Sequence, residues 1–120
     1  MNDLADKKCI PCEGNIPPFK TEEIHNYLKK VDGWEVKKDK LDGHFLTKQF
    51  KFDNFIEAFG FMTNIALMAE KINHHPEWFN VYSRVDVVLT THDLNAVSEL
   101  DITLAEHMDN FASNFLLDRV

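Results

Sequence analysis

The sequence predicts an α+β fold in which a four-stranded antiparallel sheet carries helices on one face, in the order α-β-β-α-β-β-α. The apolar spacing indicates three helices separated by pairs of short strands, and strand pairs with short links favour helices packed on a sheet. The chain has 120 residues, of which 44% are hydrophobic and 28% are charged. One folded domain is expected at this length and composition.

The sequence predicts an N-terminal arm over residues 1–20 and a single domain over residues 21–120. Prolines at Pro17-Pro18 separate the two. Both cysteines, Cys9 and Cys12, lie in the arm. One such pair supplies only two of the four ligands that a structural zinc ion needs, so the pattern favours two free thiols.

The first helix and the first strand pair follow the arm. Thr21 is expected to cap the helix through its hydroxyl, and Gly33 ends it. Strands are predicted over residues 34–36 and 44–52, with a turn at Asp42-Gly43 between them. Three apolar side chains of the second strand share a face: Leu46, Phe50 and Phe52.

A long helix follows, and it has the clearest helical pattern in the chain. We expect Asp53 to cap it and the apolar spacing to continue to about Lys71. Pro76 cannot continue a helix, so the chain becomes extended there. The apolar residues at helical spacing are Phe55, Ile56, Phe59, Met62, Ile65, Ala66 and Ala69.

The second strand pair and the last helix complete the domain. Strands are predicted over residues 79–81 and 84–91, and apolar residues alternate in the second of them at Val85, Val87 and Leu89. Ser98 and Asp101 have the spacing of a capping box at the start of a helix. The apolar residues of that helix are Leu104, Ala105, Met108, Phe111, Ala112 and Phe115.

The charge of the chain argues against two classes of partner. Its formal net charge of -7 repels nucleic acid and anionic lipid alike. No apolar run approaches the roughly 20 residues that cross a bilayer, and Met1–Lys8 lacks a signal-peptide pattern. We therefore expect a cytoplasmic protein with no direct nucleic-acid or membrane partner.

Three of the six histidines bracket the second strand pair: His74, His75 and His92. Because the unperturbed pKa of histidine is about 6.5, one ring can donate a proton while another accepts one, as elimination or hydration requires. A solvated helix end is the alternative explanation for His74 and His75. A shared metal ion is disfavoured because adjacent residues point in different directions. The remaining histidines, His25, His44 and His107, are expected on the surface.

Other polar and aromatic residues near these histidines also have two interpretations. Asp101 could serve only as the capping acid, and Glu70 could be a solvated carboxylate on a helix. Trp78 and Phe79 could simply belong to the core, or they could offer a flat surface to a heterocyclic ligand.

The string Glu70-Lys71-Ile72-Asn73-His74-His75-Pro76, followed by Tyr82, His92 and Asp101, resembles the signature of pterin-4a-carbinolamine dehydratases. The resemblance covers most of residues 34–110. It implies an enzyme that removes water from 4a-hydroxytetrahydrobiopterin, giving quinonoid dihydropterin for tetrahydrobiopterin recycling. It implies no metal and no organic cofactor, and it favours a homodimer or a homotetramer.

The resemblance also implies roles for individual residues. The family's catalytic histidines fall on His74, His75 and His92, of which we expect His74 and His92 to move protons and His75 to hold the substrate. Which of His74 and His92 is the acid stays open. Four further residues are expected to bind substrate: Glu70, Asn73, Trp78 and Asp101.

Two positions depart from the family pattern. Asn73 stands where some members carry Asp, which removes a charge beside the histidines but keeps a hydrogen-bond donor and acceptor. Ala96 stands where many members carry Gly, so the loop after His92 is expected to differ in shape.

The resemblance carries a second class of function. Animal members of the family also act as dimerisation cofactors of a homeodomain transcription factor, binding through a helix face. The last helix has an apolar stripe, although core packing or self-association would explain it equally.

Overall fold

The computed structural model describes residues 33–38 and 43–117, which form one sheet and two long helices. The strands are β1 (Glu35–Lys38), β2 (His44–Lys51), β3 (Glu77–Val81) and β4 (Arg84–Leu89). The helices are α1 (Phe55–Ile72) and α2 (Glu99–Leu117). The predicted arm, the helix expected after Thr21 and Asp42 of the predicted turn lie outside the described residues.

The four strands form one antiparallel sheet in the spatial order β1-β2-β4-β3. The two predicted strand pairs are therefore joined side by side through β2 and β4. Leu46 pairs with Leu89 and Phe50 with Val85, which places these side chains on one face of the sheet. The predicted α+β class and four-stranded antiparallel sheet are confirmed.

One hydrophobic core lies between that face and the two helices. At its centre the ring of Phe61 lies 4.8 Å from that of Phe50 and 5.1 Å from that of Phe52, measured between centroids. Helix α1 contributes Ala58, Phe61, Ile65, Ala69 and Ile72. Helix α2 contributes Leu100, Ile102, Leu104, Ala105, Met108 and Ala112. Among the described residues, no helix has the length and apolarity that crossing a membrane requires.

The predicted apolar face of α1 is wrong in part. Phe55, Ile56 and Phe59 are 46%, 81% and 55% exposed, and the buried residues of the helix lie on a neighbouring face. Helix α1 carries apolar residues on two adjacent faces, and helical spacing alone does not say which one meets the sheet. Phe79, considered for the core, is also exposed.

The predicted cap of α1 is also wrong, by one residue. Asn54, and not Asp53, is the N-cap, since its Oδ1 accepts a hydrogen bond from the Glu57 N–H at 2.9 Å. The Glu57 carboxylate reaches back to the Asp53 N–H at 3.1 Å. Either residue type can cap a helix, so composition could not separate these neighbours.

Candidate active site

The end of α1 and the segment after β4 enclose a cleft of about 170 Å³. Four residues predicted for the site line it: Asn73, His74, His75 and His92. Thr90, Thr91 and Asp93 complete the lining. Two parts of the chain that are far apart in sequence therefore bring all three predicted histidines to one place.

Asn73 turns the backbone immediately before the two adjacent histidines. It is the C-cap of α1 and has left-handed backbone angles, φ 53° and ψ 43°, with its N–H directed at the carbonyls of Ala69 and Glu70. Asparagine tolerates this conformation better than most residues. After the turn, His74 is buried and the side chain of His75 is 55% exposed, so the two adjacent rings lie in different environments.

His74 is held by a fully buried carboxylate. Its Nε2 lies 2.6 Å from Oδ1 of Asp101. The other carboxylate oxygen, Oδ2, accepts hydrogen bonds from the Thr91 hydroxyl and the Ser98 N–H, each at 2.9 Å. Asp101 is thus both the acid of the predicted capping box and the partner of His74. The Ser98 hydroxyl faces Thr91 at 2.7 Å.

The other two histidines of the cleft also have a carboxylate partner each, in more exposed positions. His75 Nε2 lies 2.8 Å from Glu70 Oε1. His92 Nε2 lies 2.7 Å from Glu77 Oε2, and the two side chains are 73% and 53% exposed. The cleft is therefore bordered by three histidine–carboxylate pairs.

These pairs assign a proton to the same atom of each ring. An ionised carboxylate only accepts hydrogen bonds, so each Nε2 carries a proton and a neutral ring holds its lone pair at Nδ1. A ring in this state can accept a proton at Nδ1, and a protonated ring can return it. The arrangement suits proton transfer to and from a small ligand.

Three of the predicted site residues lie outside the lining of the cleft. Glu70 and Asp101 each contact a histidine that borders it. Trp78 is half-buried on β3 and packs against the core. The substrate contacts expected of these residues stay predictions.

Sequence reasoning missed Glu77 and Thr91 as site residues. Glu77 directly follows Pro76 at the start of β3 and pairs with Val88 of β4, near the end of β4 that leads to His92. Thr91 directly precedes His92, and adjacent residues of extended chain point to opposite faces. An exposed His92 could thus have indicated an inward hydroxyl at position 91, which is 1% exposed.

The surface position expected for two of the histidines needs correction. His44 and His107, expected on the surface, are half-buried, and the Nε2 atom of His44 is buried without a hydrogen-bond partner. A further expectation concerned the loop after His92. Its left-handed residue is Asn95, with φ 49°, and not Ala96, so the absence of glycine at position 96 imposes no strain there. His25 lies outside the described residues.

Within the described ranges, no group of three or more histidine, cysteine, aspartate or glutamate side chains is arranged to hold a metal ion.

Comparison with known proteins assigns the chain to a family. Residues 17–111 match the family described as pterin 4 alpha carbinolamine dehydratase. The chain belongs to this family. The match includes all the residues that border the cleft and their carboxylate partners.

Individual relatives agree with this assignment. The chain is 58% identical over 81 residues to a Rhizobium rhizogenes protein provisionally named pterin-4-alpha-carbinolamine dehydratase, covering 68% of this chain and 77% of the relative. A Sinorhizobium fredii protein with the same provisional name is 50% identical over 99 residues, covering 82% and 91%.

Two solved structures resemble this pterin dehydratase family member. The crystal structure of a transcriptional coactivator/pterin dehydratase from Brucella melitensis has a TM-score of 0.73 and 47% identity, covering 80% of this chain and 99% of that one. A pterin dehydratase-like RuBisCO assembly factor of the alpha-carboxysome has a TM-score of 0.57 and 21% identity, covering 67% and 89%. The second likeness concerns the fold alone.

Proposed function

We propose that this protein dehydrates 4a-hydroxytetrahydrobiopterin to quinonoid dihydropterin, in the cytoplasm and as a step of tetrahydrobiopterin recycling. The observation that carries the proposal is the gathering of His74, His75 and His92 around one cleft, each with its own carboxylate. Membership of the pterin dehydratase family supplies the substrate class.

The reaction needs one proton donor and one proton acceptor. The bond between carbon 4a and its hydroxyl oxygen breaks, and the oxygen leaves as water with a proton from the acid. Nitrogen 5 loses its proton to the base, and its electron pair forms the double bond to carbon 4a. Nothing is oxidised or reduced, so the step calls for no redox cofactor and balances with two imidazoles.

His74 and His92 suit these two roles because both border the cleft and come from different parts of the fold. His74 follows α1 and His92 follows β4, and we propose that the ligand lies between the two rings. Asp101 and Glu77 engage Nε2 of the two rings, which leaves Nδ1 of each for the ligand. Which ring begins as the acid is not part of the proposal.

His75 is assigned to holding the substrate, together with Asn73. Both border the cleft beside His74. Glu70 orients the His75 ring through their 2.8 Å contact. Trp78, on the adjacent strand β3, is proposed to flank the pterin ring, as an aromatic side chain beside a flat heterocycle can.

Exposed apolar residues on α1 support self-association. Ile56, Phe59 and Leu67 are 81%, 55% and 70% exposed and lie on one side of the helix by their spacing. We propose that they contribute to a homodimer or a homotetramer, because an exposed apolar patch on a helix favours a protein contact.

The coactivator alternative finds less support on the last helix, where it was expected. In the described part of the apolar stripe of α2, Leu104, Ala105 and Met108 are fully inaccessible and Phe111 is half-buried. The exposed apolar residues of α1 are an alternative surface for a partner helix, in competition with self-association.

The deciding experiment is the rate of dehydration of freshly generated 4a-hydroxytetrahydrobiopterin with and without the protein. We expect the rate to rise in proportion to protein concentration. A rate equal to the spontaneous one at all concentrations of folded protein would refute the dehydratase proposal and leave the interaction role as the alternative.

A further inference from the structure

A buried chain of hydrogen bonds continues from Asp101 through Thr91, which lines the cleft, to Ser98. The Ser98 hydroxyl lies 2.7 Å from the Thr91 hydroxyl, and the Thr91 hydroxyl lies 2.9 Å from Asp101 Oδ2. Asp101 Oδ1 then lies 2.6 Å from His74 Nε2. The four residues are 0%, 1%, 0% and 8% exposed, so water does not substitute for any of these contacts.

The direction of the chain follows from counting protons. The Asp101 carboxylate accepts, so the single hydroxyl proton of Thr91 is directed at Oδ2. Thr91 then has no proton left for Ser98, and the Ser98 hydroxyl must donate to Thr91. The order is Ser98 to Thr91 to Asp101, with His74 donating to the same carboxylate from the other side.

Thr91 is itself rigidly placed. Its N–H donates to the Ala96 carbonyl at 2.9 Å, and its own carbonyl accepts from the N–H of Leu94 at 3.0 Å. Ser98 directly precedes α2, and its N–H is the second donor to Asp101 Oδ2. The carboxylate is therefore fixed at one oxygen by two donors and presents the other oxygen to His74.

We propose that Thr91 is a positioning residue for His74, with Ser98 as the donor that orients the Thr91 hydroxyl. By fixing the Asp101 carboxylate, Thr91 holds the proton of His74 on Nε2 and keeps the lone pair of the neutral ring on Nδ1. This inference rests on the proposed function for its effect on catalysis, but its effect on the His74 ring does not depend on any activity.

The test compares Thr91→Val with Thr91→Ser. Valine keeps the shape of threonine and removes the hydroxyl, so Asp101 loses one donor and Ser98 loses its acceptor. Nitrogen NMR of the His74 ring, at a pH where the ring is neutral, should show one Nε2–H tautomer in the native protein and in Thr91→Ser. In Thr91→Val we expect a mixture of tautomers.

The same variants should differ in turnover. For Thr91→Val we expect kcat to fall about tenfold with KM changed by less than about twofold, because a misplaced proton-transfer group slows the chemical step. Thr91→Ser should recover most of kcat. Thr47→Val is the matched control, since it removes a 2.9 Å hydrogen bond from Thr47 to the Val87 carbonyl elsewhere in the sheet. It should leave the His74 tautomer and kcat unchanged.

A single Nε2–H tautomer in Thr91→Val would overturn the proposal. So would an equal fall of kcat in Thr47→Val, which would show a general loss of stability. Ser98→Ala provides a second variant in case Thr91→Val does not fold, and it should move the His74 nitrogen shifts in the same direction by a smaller amount. If the native protein does not dehydrate the pterin, the tautomer comparison still decides the positioning role.

Discussion

His74 and Asp101 lie 2.6 Å apart, Nε2 to Oδ1, although 27 residues separate them in the chain. The same carboxylate also accepts from the N–H of Ser98, the residue before α2. One buried side chain thus serves both the start of a helix and the imidazole that borders the cleft. Substitution of Asp101 should therefore lower both the stability of the protein and its dehydration rate.

Replacing Asp101 by asparagine should lower both the stability and the dehydration rate. Three donors point at the carboxylate, and an amide would turn its own NH₂ toward at least one of them. We expect unfolding to become easier by about 1–3 kcal/mol, the usual cost of an unsatisfied buried polar group. Urea denaturation and the dehydration assay would measure the two effects.

Asp86→Asn is the matched control for that change. Asp86 accepts a hydrogen bond from Gln49 at 2.9 Å and pairs with Arg84 at 3.3 Å on the surface of the sheet, where water can replace both contacts and an ion pair contributes little. The free energy of unfolding of Asp86→Asn should differ from that of the native protein by less than about 0.5 kcal/mol. A native urea midpoint in Asp101→Asn would contradict the role given to the carboxylate.

His74→Ala and His92→Ala should each reduce the dehydration rate at least about 100-fold, because positioned proton transfer contributes about 10²- to 10⁴-fold. The rate is measured on freshly generated substrate, and circular dichroism checks that the fold is retained. His107→Ala, on α2 and outside the cleft lining, should keep the native rate. Full turnover by both cleft variants would refute the site.

Asn54→Ala should destabilise the protein by about 1 kcal/mol through loss of the N-cap of α1. Asn64→Ala makes the same chemical change at an exposed position inside the same helix, where alanine is the better helix former. We expect Asn64→Ala to be neutral or slightly stabilising in urea denaturation. An equal loss in both variants would mean that Asn54 does not act as a cap.

Phe61→Ala should cost about 3–5 kcal/mol, as expected for a large aromatic removed from a packed core. Phe61 is fully buried against Phe50 and Phe52. Phe79→Ala removes the same group from a side chain that is 61% exposed and should cost less than about 1 kcal/mol. Thermal or urea denaturation of the pair tests whether the core is centred on Phe61.

Some of this fold is readable from the sequence because only one arrangement satisfies the pattern. In β4, Val85, Val87 and Leu89 alternate, and a shift of one residue would expose all three. Helix α1 differs because Phe59 and Phe61 lie on different sides of it, and each side looks suitable for a core. Packing against the sheet determines which side of the helix is buried, and the residues of the sheet lie in other parts of the chain.

The site was predictable in its histidines and less so in their partners. His74, His75 and His92 stand out as a group around one strand pair. The contact between His74 and Asp101 depends on how α1 and α2 approach each other, which spacing along the chain does not specify. Glu77 was missed for a similar reason, since its contact with His92 joins the two strands of a hairpin and depends on their register.

The left-handed cap at Asn73 has a consequence for how much the two adjacent histidines can be changed independently. Because Asn73 turns the backbone, the side chain of His74 is buried in the interior and that of His75 is exposed to solvent, although the two residues are adjacent in the chain. Substitutions at position 75 should therefore leave the core intact, so they can test the proposed contact of His75 with the ligand. Substitutions at position 74 would also disturb the buried contact with Asp101.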